Sequence, residues 1–289
     1  MPYAIARDNT RLHYDESGKG TPLIFVHEFS GDARSWEAQM RFFSRRYRCI
    51  SFNARGYPPS EVPQARSKYS WRIAVDDIAD VLRHLGIRKA HVVGCSMGAY
   101  SALQFGMRYP AMALSVTTLG AGAGSDPATR KAFLKTTEAH AQLFETAGTA
   151  TALKQRGVSA ARIPQMIKDP RGFAEFRRIH ESHSGIGLAR VLRGVQAKRP
   201  PVYDLETELR KFRRPLLVMC GDEDDSSIGP ALFIKRVCRS ARLWICPASG
   251  HTLNTEEPEL FNRSVLDFLT LVDNGRWSPR DPRSISKSA

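Results

Sequence analysis

Gly94-Cys95-Ser96-Met97-Gly98 is the stretch that decides the fold. It follows an apolar run of strand character, Ala90-His91-Val92-Val93, and precedes the helix-like run 99–105. Gly-x-Ser-x-Gly between a strand and a helix is typical of a sharp turn that raises the serine hydroxyl above a sheet. Side chains on either flank would collide across such a turn, so glycine suits both positions. Because the bare pattern is also common by coincidence, the chain must still supply a base, an acid and an oxyanion loop.

Length, apolar content and cysteine usage indicate a folded cytoplasmic protein. The chain has 289 residues, of which 42% are hydrophobic, which suits one α/β domain with an insertion. Residues 1–8 lack the apolar core of a signal peptide, and no apolar run approaches the ~20 residues of a membrane helix. The five cysteines are odd in number and form no Cys-x-x-Cys pair, so we expect buried free thiols in a reducing compartment.

The formal net charge of +14 allows two interpretations. A basic protein can bind nucleic acid, anionic lipid or an acidic substrate, or it can simply carry solvated basic faces. The basic residues are spread along the whole chain and no nucleic-acid-binding motif accompanies them. The sequence therefore predicts neither specific nucleic-acid binding nor membrane insertion.

Eight segments have the pattern of strands, and most of them alternate with helix-like segments. The strand candidates are 3–7, 11–14, 22–26, 47–52, 90–93, 113–119, 215–220 and 242–246. Helical patterns cover 32–43, 71–85, 99–105 and 258–272. Such alternation predicts a mostly parallel sheet of eight strands with helices on both faces.

The alternation stops in the middle of the chain. Residues 125–209 contain helical segments, 128–147, 149–155 and 170–183 among them, and we interpret this block as a helical lid inserted into the core. The core is then formed by 1–124 and 210–272. The Pro-, Ser- and Arg-rich tail, 273–289, is predicted to be disordered.

His251 is the best candidate for a base that activates Ser96. A serine hydroxyl is a poor nucleophile without one. The chain has eight histidines, and His251 lies in a loop just beyond the last strand candidate. An exposed loop histidine is the alternative interpretation. His27 also follows a strand, but it belongs to the expected oxyanion loop.

The acid that orients the histidine is expected at the end of the strand 215–220, where Gly221-Asp222-Glu223-Asp224-Asp225 falls. Spacing favours Asp224, with Asp222 and Asp225 left open. The chain order Ser96, Asp224, His251 is the order of an α/β-hydrolase triad. For the oxyanion hole we expect the backbone N–H of Met97, which follows the nucleophile, and that of Phe29 in the loop 27–32.

With these pieces in place, the chain resembles the α/β-hydrolase-fold enzymes of the lactonase, esterase and cofactor-free haloperoxidase kind. The motifs that carry the resemblance are His27-Glu28-Phe29-Ser30-Gly31-Asp32, Asn53-Ala54-Arg55-Gly56-Tyr57-Pro58-Pro59-Ser60, Gly94-Cys95-Ser96-Met97-Gly98, Gly221-Asp222-Glu223-Asp224 and Gly250-His251 with Glu256 and Pro258. As a set they are specific for fold and triad and weak for substrate.

The chain departs from the family pattern at several positions. Glu28 stands where the family usually has glycine, so a carboxylate either faces solvent or tunes the pocket. Thr252 stands where carbon–carbon bond hydrolases of this fold usually have tryptophan, which disfavours that activity. Epoxide hydrolases and haloalkane dehalogenases use aspartate as nucleophile, and Ser96 argues against both.

The sequence thus predicts a serine hydrolase that cleaves a carboxylic ester or lactone of a small organic molecule through an acyl-enzyme, with no metal or organic cofactor. The alternatives are a carbon–carbon bond hydrolase with the same triad and a binding protein that keeps the pocket with little turnover. Homo-oligomerisation stays open.

The lid carries more basic than acidic residues, Arg177, Arg178, Arg190 and Arg193 among them. In the simpler interpretation these arginines form a solvated surface. In the other, one or more face the pocket and pair with a carboxylate of the substrate.

Overall fold

The computed structural model of the chain describes residues 2–285. Its sheet consists of β1 (Tyr3–Ile5), β2 (Arg11–Ser17), β3 (Thr21–Val26), β4 (Tyr47–Phe52), β5 (Ala90–Cys95), β6 (Ala113–Leu119), β7 (Leu216–Gly221) and β8 (Ala241–Cys246). The strand order is β1-β2-β4-β3-β5-β6-β7-β8. Pairs β1–β2 and β2–β4 are antiparallel, and all other pairs are parallel. The predicted mostly parallel, eight-stranded sheet is confirmed.

The α-helices are α1 (Glu37–Phe43), α2 (Trp71–His84), α3 (Met97–Arg108), α4 (Pro127–Arg156), α5 (Ile163–Lys168), α6 (Pro170–Glu181), α7 (Gly185–Val191), α8 (Glu206–Lys211), α9 (Asp225–Val237), α10 (Leu253–Glu256) and α11 (Pro258–Asp273). Sequence patterns missed α9, which contains Gly229 and Pro230, two poor helix formers. Its buried Ala231 and Ile234 pack in the core, so tertiary contacts outweigh the low propensity.

Alternate side chains of the central strands enter two apolar clusters, one on each face of the sheet. Ile24 of β3 lies in the cluster that includes buried side chains of α2, α3 and α9, whereas Phe25 lies in the cluster that includes those of α1 and α11. The Phe25 ring stacks on Trp36 with 5.0 Å between centroids. Helices therefore cover both faces, as a parallel sheet requires.

A helical lid separates β6 from β7 in the chain, as predicted. The helix α4 is broken at Gly148, where φ is 75° and ψ is 170°, and this break divides the two helices that the sequence predicted there. Phe144 and Leu153 of α4 pack in one apolar cluster with Phe29 and Met97 of the core. The lid thus rests on the loops at the carboxyl ends of the strands.

The chain returns to the core earlier than the predicted lid boundary at residue 209. Val202, Leu205 and Leu209 are buried in the same cluster as α2 and α3. These apolar side chains follow Pro200-Pro201. The proline pair by itself did not indicate where the lid ends and the core resumes.

The segment after α11 has packing contacts that its composition did not predict. The Trp277 ring lies 4.5 Å from that of Phe268, and its Nε1–H donates to the Ser240 carbonyl. Disorder was expected from residue 273 onward, yet this aromatic side chain anchors the beginning of the tail on the core. The last part of that expectation, 286–289, lies outside the described residues.

Between residues 2 and 285, none of the helices combines the length and the apolar character needed to cross a bilayer.

Candidate active site

Ser96 occupies a strained turn between β5 and α3. Its φ of 53° and ψ of −111° are unusual for a residue with a side chain. A Cβ on Gly98 would lie 2.1 Å from the Val26 carbonyl oxygen, and one on Gly94 would lie 2.2 Å from that of Gly98. Only glycine fits at both positions, and this steric requirement explains the two glycines of the Gly-x-Ser-x-Gly motif. The turn presents Ser96 to a cavity under the lid.

His251 and Asp224 meet at the same end of the sheet. The Nδ1 atom of His251 lies 2.5 Å from Oδ2 of Asp224. The other carboxylate oxygen of Asp224 accepts a hydrogen bond from the Ser226 hydroxyl at 2.9 Å. Burial raises the pKa of Asp224, but the charge and hydrogen bond of His251 outweigh it, so the pKa lies below its ordinary value. A buried, ionised carboxylate therefore orients the imidazole.

The neighbouring carboxylates, which the sequence left open, lie elsewhere. Asp222 accepts a hydrogen bond from the Ser249 backbone N–H at 3.1 Å, and Asp225 begins α9 as an exposed residue. Asp224 is fully buried, whereas the other two are exposed. Of the three candidates, Asp224 is the one in contact with His251.

The backbone N–H groups of Phe29 and Met97 are available to a ligand. Neither group donates a hydrogen bond to another of the described residues. The Tyr57 hydroxyl donates to the Phe29 carbonyl at 2.8 Å and so anchors the peptide group that follows the one carrying the Phe29 N–H. Sequence reasoning missed Tyr57, whose role depends on a contact across 28 residues of chain.

His27 organises the loop that carries Phe29. Its Nε2 accepts the Ala54 backbone N–H at 3.0 Å, so the proton must be on Nδ1, which donates to the Glu28 carbonyl at 2.7 Å. Burial lowers the pKa of His27, which keeps the ring neutral. Both ring nitrogens of His27 are thus used in holding the loop 27–32 in place.

The loop that carries His251 is tied to the lid and to a buried carboxylate. The His251 backbone N–H donates to the Ala161 carbonyl at 2.9 Å. Both oxygens of Glu256 accept the Gly250 N–H, at 3.1 and 3.0 Å, and Lys168 of the lid bonds Glu256 at 3.0 Å. The position of His251 therefore depends on residues from both core and lid.

Ser96 and His251 line one cavity of about 210 Å³ between the core and the lid. Glu28, Phe29 and Ser30 line it from the oxyanion loop, and Arg156, Arg162, Arg177 and His180 line it from the lid. The volume is below the range of about 300–1,000 Å³ that is typical of pockets for drug-sized ligands. The cavity suits a small molecule.

Glu28 is buried in the wall of this cavity and does not face solvent. Its Oε1 lies 3.6 Å from a guanidinium nitrogen of Arg162, and its Oε2 has no hydrogen-bond partner among the described residues. Arg162 also donates to the hydroxyl of Thr252 at 2.9 Å. The two departures from the family pattern, Glu28 and Thr252, are thus joined by one arginine of the lid.

The four lid arginines singled out by the sequence are distributed differently. Arg177 lines the cavity. Arg178 lies at a separate groove near α1. Arg193 pairs with Glu138 and Glu145 at 2.8 and 2.6 Å, and Arg190 donates to the Pro63 carbonyl. Arg156 and Arg162 also line the cavity. Sequence analysis missed both, because no local motif indicates that they face it.

Across the described range, no group of three or more His, Cys, Asp and Glu side chains is placed to hold a metal ion.

Comparisons with known proteins agree with the observed fold. A family model for the alpha/beta hydrolase fold matches residues 21–258. A Bacillus subtilis (strain 168) protein named "Putative 2-succinyl-6-hydroxy-2,4-cyclohexadiene-1-carboxylate synthase" is 27% identical over 264 residues, 86% of this chain and 90% of that protein. Epoxide hydrolase 1 of Caenorhabditis elegans is 36% identical, but over 110 residues, 37% of this chain and 27% of that protein. The enol-lactonase of Burkholderia xenovorans LB400 has a similar structure, with a TM-score of 0.78, 23% identity and coverage of 93% and 100%.

Proposed function

Because this chain belongs to the alpha/beta hydrolase fold family and is a hydrolase, we propose that it cleaves a carboxylic ester or lactone of a small organic molecule, with Ser96 as nucleophile. The observation that carries the proposal is the 2.5 Å contact between His251 and Asp224 at the cavity that Ser96 also lines. A nucleophile, a base and a group that orients the base are the parts that acyl transfer requires.

In the proposed reaction, Nε2 of His251 takes the Ser96 proton while Oγ attacks the substrate carbonyl carbon. The carbonyl oxygen becomes an oxyanion that accepts hydrogen bonds from the N–H groups of Phe29 and Met97. The tetrahedral intermediate then expels the alkoxide, which takes the proton from His251 and leaves an acyl-enzyme on Ser96. Water, deprotonated by His251, attacks the acyl carbon and releases the acid, and Ser96 recovers its proton.

Asp224 stabilises the imidazolium that forms during each half of this cycle. Its pKa lies below the ordinary value of an aspartate, so it stays ionised at neutral pH. Because Nδ1 of His251 faces this carboxylate, the proton on the neutral ring is held there and Nε2 is left free to accept.

The proposal includes a cytoplasmic location. The five cysteines are free and buried, which supports a reducing compartment.

A fluorophosphonate probe tests the proposal directly. We expect stoichiometric covalent labelling of the native protein, because an activated serine attacks phosphorus and loses fluoride. The Ser96→Ala protein should take up no label. Absence of labelling in the folded native protein would instead favour a binding protein that retains the pocket.

A substrate screen separates the proposed activity from its nearest rival. Short acyl esters and lactones should be hydrolysed, with a burst of alcohol release if the acyl-enzyme accumulates. A carbon–carbon bond hydrolase with the same triad would take up the probe but leave every ester and lactone intact, and that result would contradict the proposed substrate class.

Replacement of Tyr57 by phenylalanine is expected to lower kcat between about two- and tenfold. The variant loses one hydrogen bond to the Phe29 carbonyl. The net free energy of one such bond is about 0.5–1.5 kcal/mol, which corresponds to this range of kcat if it is lost in the transition state. The N–H of Phe29 would then be less well directed at the oxyanion. The measurement is kcat on a good ester substrate, together with the melting temperature.

Tyr100→Phe is the matched control, because it also removes a buried tyrosine hydroxyl, one that accepts a hydrogen bond from Gln104 at 3.2 Å. It should leave kcat close to that of the native protein. Equal kcat values for the two variants would show that the Tyr57 hydroxyl does not help to position the N–H of Phe29.

A further inference from the structure

The charges that line the active-site cavity do not balance. Arg156, Arg162 and Arg177 contribute positive charge, whereas Glu28 is the carboxylate among the described lining residues. His180 adds no charge, because burial and the neighbouring cations hold its pKa well below the ordinary value. The cavity is therefore electropositive, and its three arginines differ in the partners that compensate their charge.

Arg162 has its partners within the protein. Besides Glu28 at 3.6 Å and Thr252 at 2.9 Å, its guanidinium donates to Gln165 at 3.2 Å and lies 4.1 Å from the centroid of the Phe176 ring. These contacts use both ends of the planar fork. Arg162 joins the lid to the core and needs no ligand.

Arg177 has a partner at the surface. It lies 3.7 Å from Glu181, one turn further along α6, and the two side chains are 25% and 41% exposed. A solvated pair of this kind contributes little and is readily rearranged. Arg177 is thus partly compensated at the rim of the cavity.

Arg156 has no such partner. Its guanidinium makes no ion pair and no hydrogen bond with the described residues, and its Nε atom is buried. The aromatic ring of Phe144 lies 5.2 Å from Cζ. Burial lowers the pKa of Arg156, and no neighbouring carboxylate offsets that effect. A partly buried guanidinium with unused donors is costly unless an anion binds to it.

We propose that Arg156 binds a carboxylate of the substrate, so that the enzyme acts on esters or lactones that carry a second, ionised acid group. This inference rests on the proposed function, because it places the scissile carbonyl at Ser96 and the carboxylate at the lid end of the same cavity. A carboxylate matches the planar fork of arginine and forms two parallel, charge-assisted hydrogen bonds with it. The small volume of the cavity favours a short acid over a long acyl chain.

The test compares substrates that differ in charge but hardly in shape. Monomethyl esters of succinic, glutaric and adipic acid are paired with the same esters in which the free acid is a primary amide. For at least one chain length, the native enzyme should hydrolyse the acid with a kcat/KM about 10- to 100-fold above that of the amide. Most of the difference should appear in KM, since the carboxylate is bound equally in ground state and transition state.

Arg156→Met should abolish this preference by lowering kcat/KM for the acid at least tenfold more than kcat/KM for the amide, because methionine keeps the apolar stem against Phe144. Arg156→Lys, which retains a positive charge without the fork, should keep part of it. Lys154→Met is the matched control: it removes one exposed positive charge from the same helix, and the preference should persist. Long-range attraction alone would fade between 0.05 and 0.5 M salt in all variants, since screening lengths are about 10 Å at 0.1 M.

The proposal is overturned if no acid is preferred over its amide, or if the preference survives in Arg156→Met. Loss of folding in that variant would show in its melting temperature. In that case an Arg156→Lys protein that keeps the full native preference for the acid would overturn the proposal. A binding arm separates this proposal from the proposed function. Calorimetry on the Ser96→Ala protein should show that glutarate binds at least tenfold more tightly than glutaramide, with the difference lost on adding Arg156→Met. Binding of glutarate without hydrolysis of any ester or lactone would refute the proposed substrate class and keep the anion site.

Discussion

Ser96→Ala is expected to reduce kcat for ester hydrolysis by about 10⁴- to 10⁶-fold, the loss seen when a triad nucleophile is removed. In the proposed mechanism the Ser96 hydroxyl forms the acyl-enzyme, and Ser96 is the one residue between β5 and α3. The fold should be retained, because the geometry of the turn depends on Gly94 and Gly98 and not on the serine side chain. The measurement is kcat with the melting temperature as a check on folding.

Ser101→Ala is the matched control for this variant. Its hydroxyl lies one turn further along α3 and donates to the Met97 carbonyl at 3.1 Å, so the same small change is made on the same helix. It should keep most of the activity. If Ser96→Ala hydrolysed esters at a rate near that of the native protein, Ser96 could not be the nucleophile.

Asp224→Asn is expected to lower kcat by about 10⁴-fold, because an amide can present its NH₂ group to Nδ1 and so stabilise the wrong tautomer of His251. The imidazolium would also lose the negative charge that lies 2.5 Å away in the native protein. The physical arrangement of the ring would change little, so KM should change far less than kcat. Steady-state kinetics on one ester substrate measures both.

Asp222→Asn and Asp225→Asn serve as controls in the same acidic cluster. Asp222 bonds a backbone N–H in the His251 loop, and Asp225 is exposed at the start of α9, so both variants should keep kcat within a few-fold of the native value. If kcat fell strongly in Asp222→Asn and stayed near the native value in Asp224→Asn, Asp222 and not Asp224 would be the acid that orients His251.

Local sequence patterns were sufficient for the sheet, for the covering helices α1, α2, α3 and α11, and for the catalytic candidates, but not for α9. Strands buried on both faces are continuous apolar runs, and the strand–turn–helix around Ser96 is specified by two glycines within five residues. The order of Ser96, Asp224 and His251 along the chain then limited the base and the acid to the ends of known strands. Short-range steric and hydrophobic rules decide these features, which is why sequence alone could predict them.

The partners of the buried polar residues could not be predicted in this way. Glu28 could have faced solvent or the pocket, and its burial against Arg162 depends on a lid helix far away in the chain. The hydroxyl of Tyr57 donates to the Phe29 carbonyl, a contact across 28 residues of chain that no local motif indicates. Such pairs are decided by where two distant segments meet.

The sequence by itself determined the fold, and it supplied the proposed nucleophile and its candidate partners, because each follows from periodicity, steric exclusion or strand order. It also indicated a basic lid, but it selected Arg177, Arg178, Arg190 and Arg193 and overlooked Arg156. Only the tertiary structure decided which arginine reaches the cavity without a partner. The break of α4 at Gly148 changes the direction of the helix before Arg156, and carboxylates on distant segments pair with Arg162 and Arg193. Whether a charge is compensated depends on what the fold places next to it, and a charge count along the chain carries no such information.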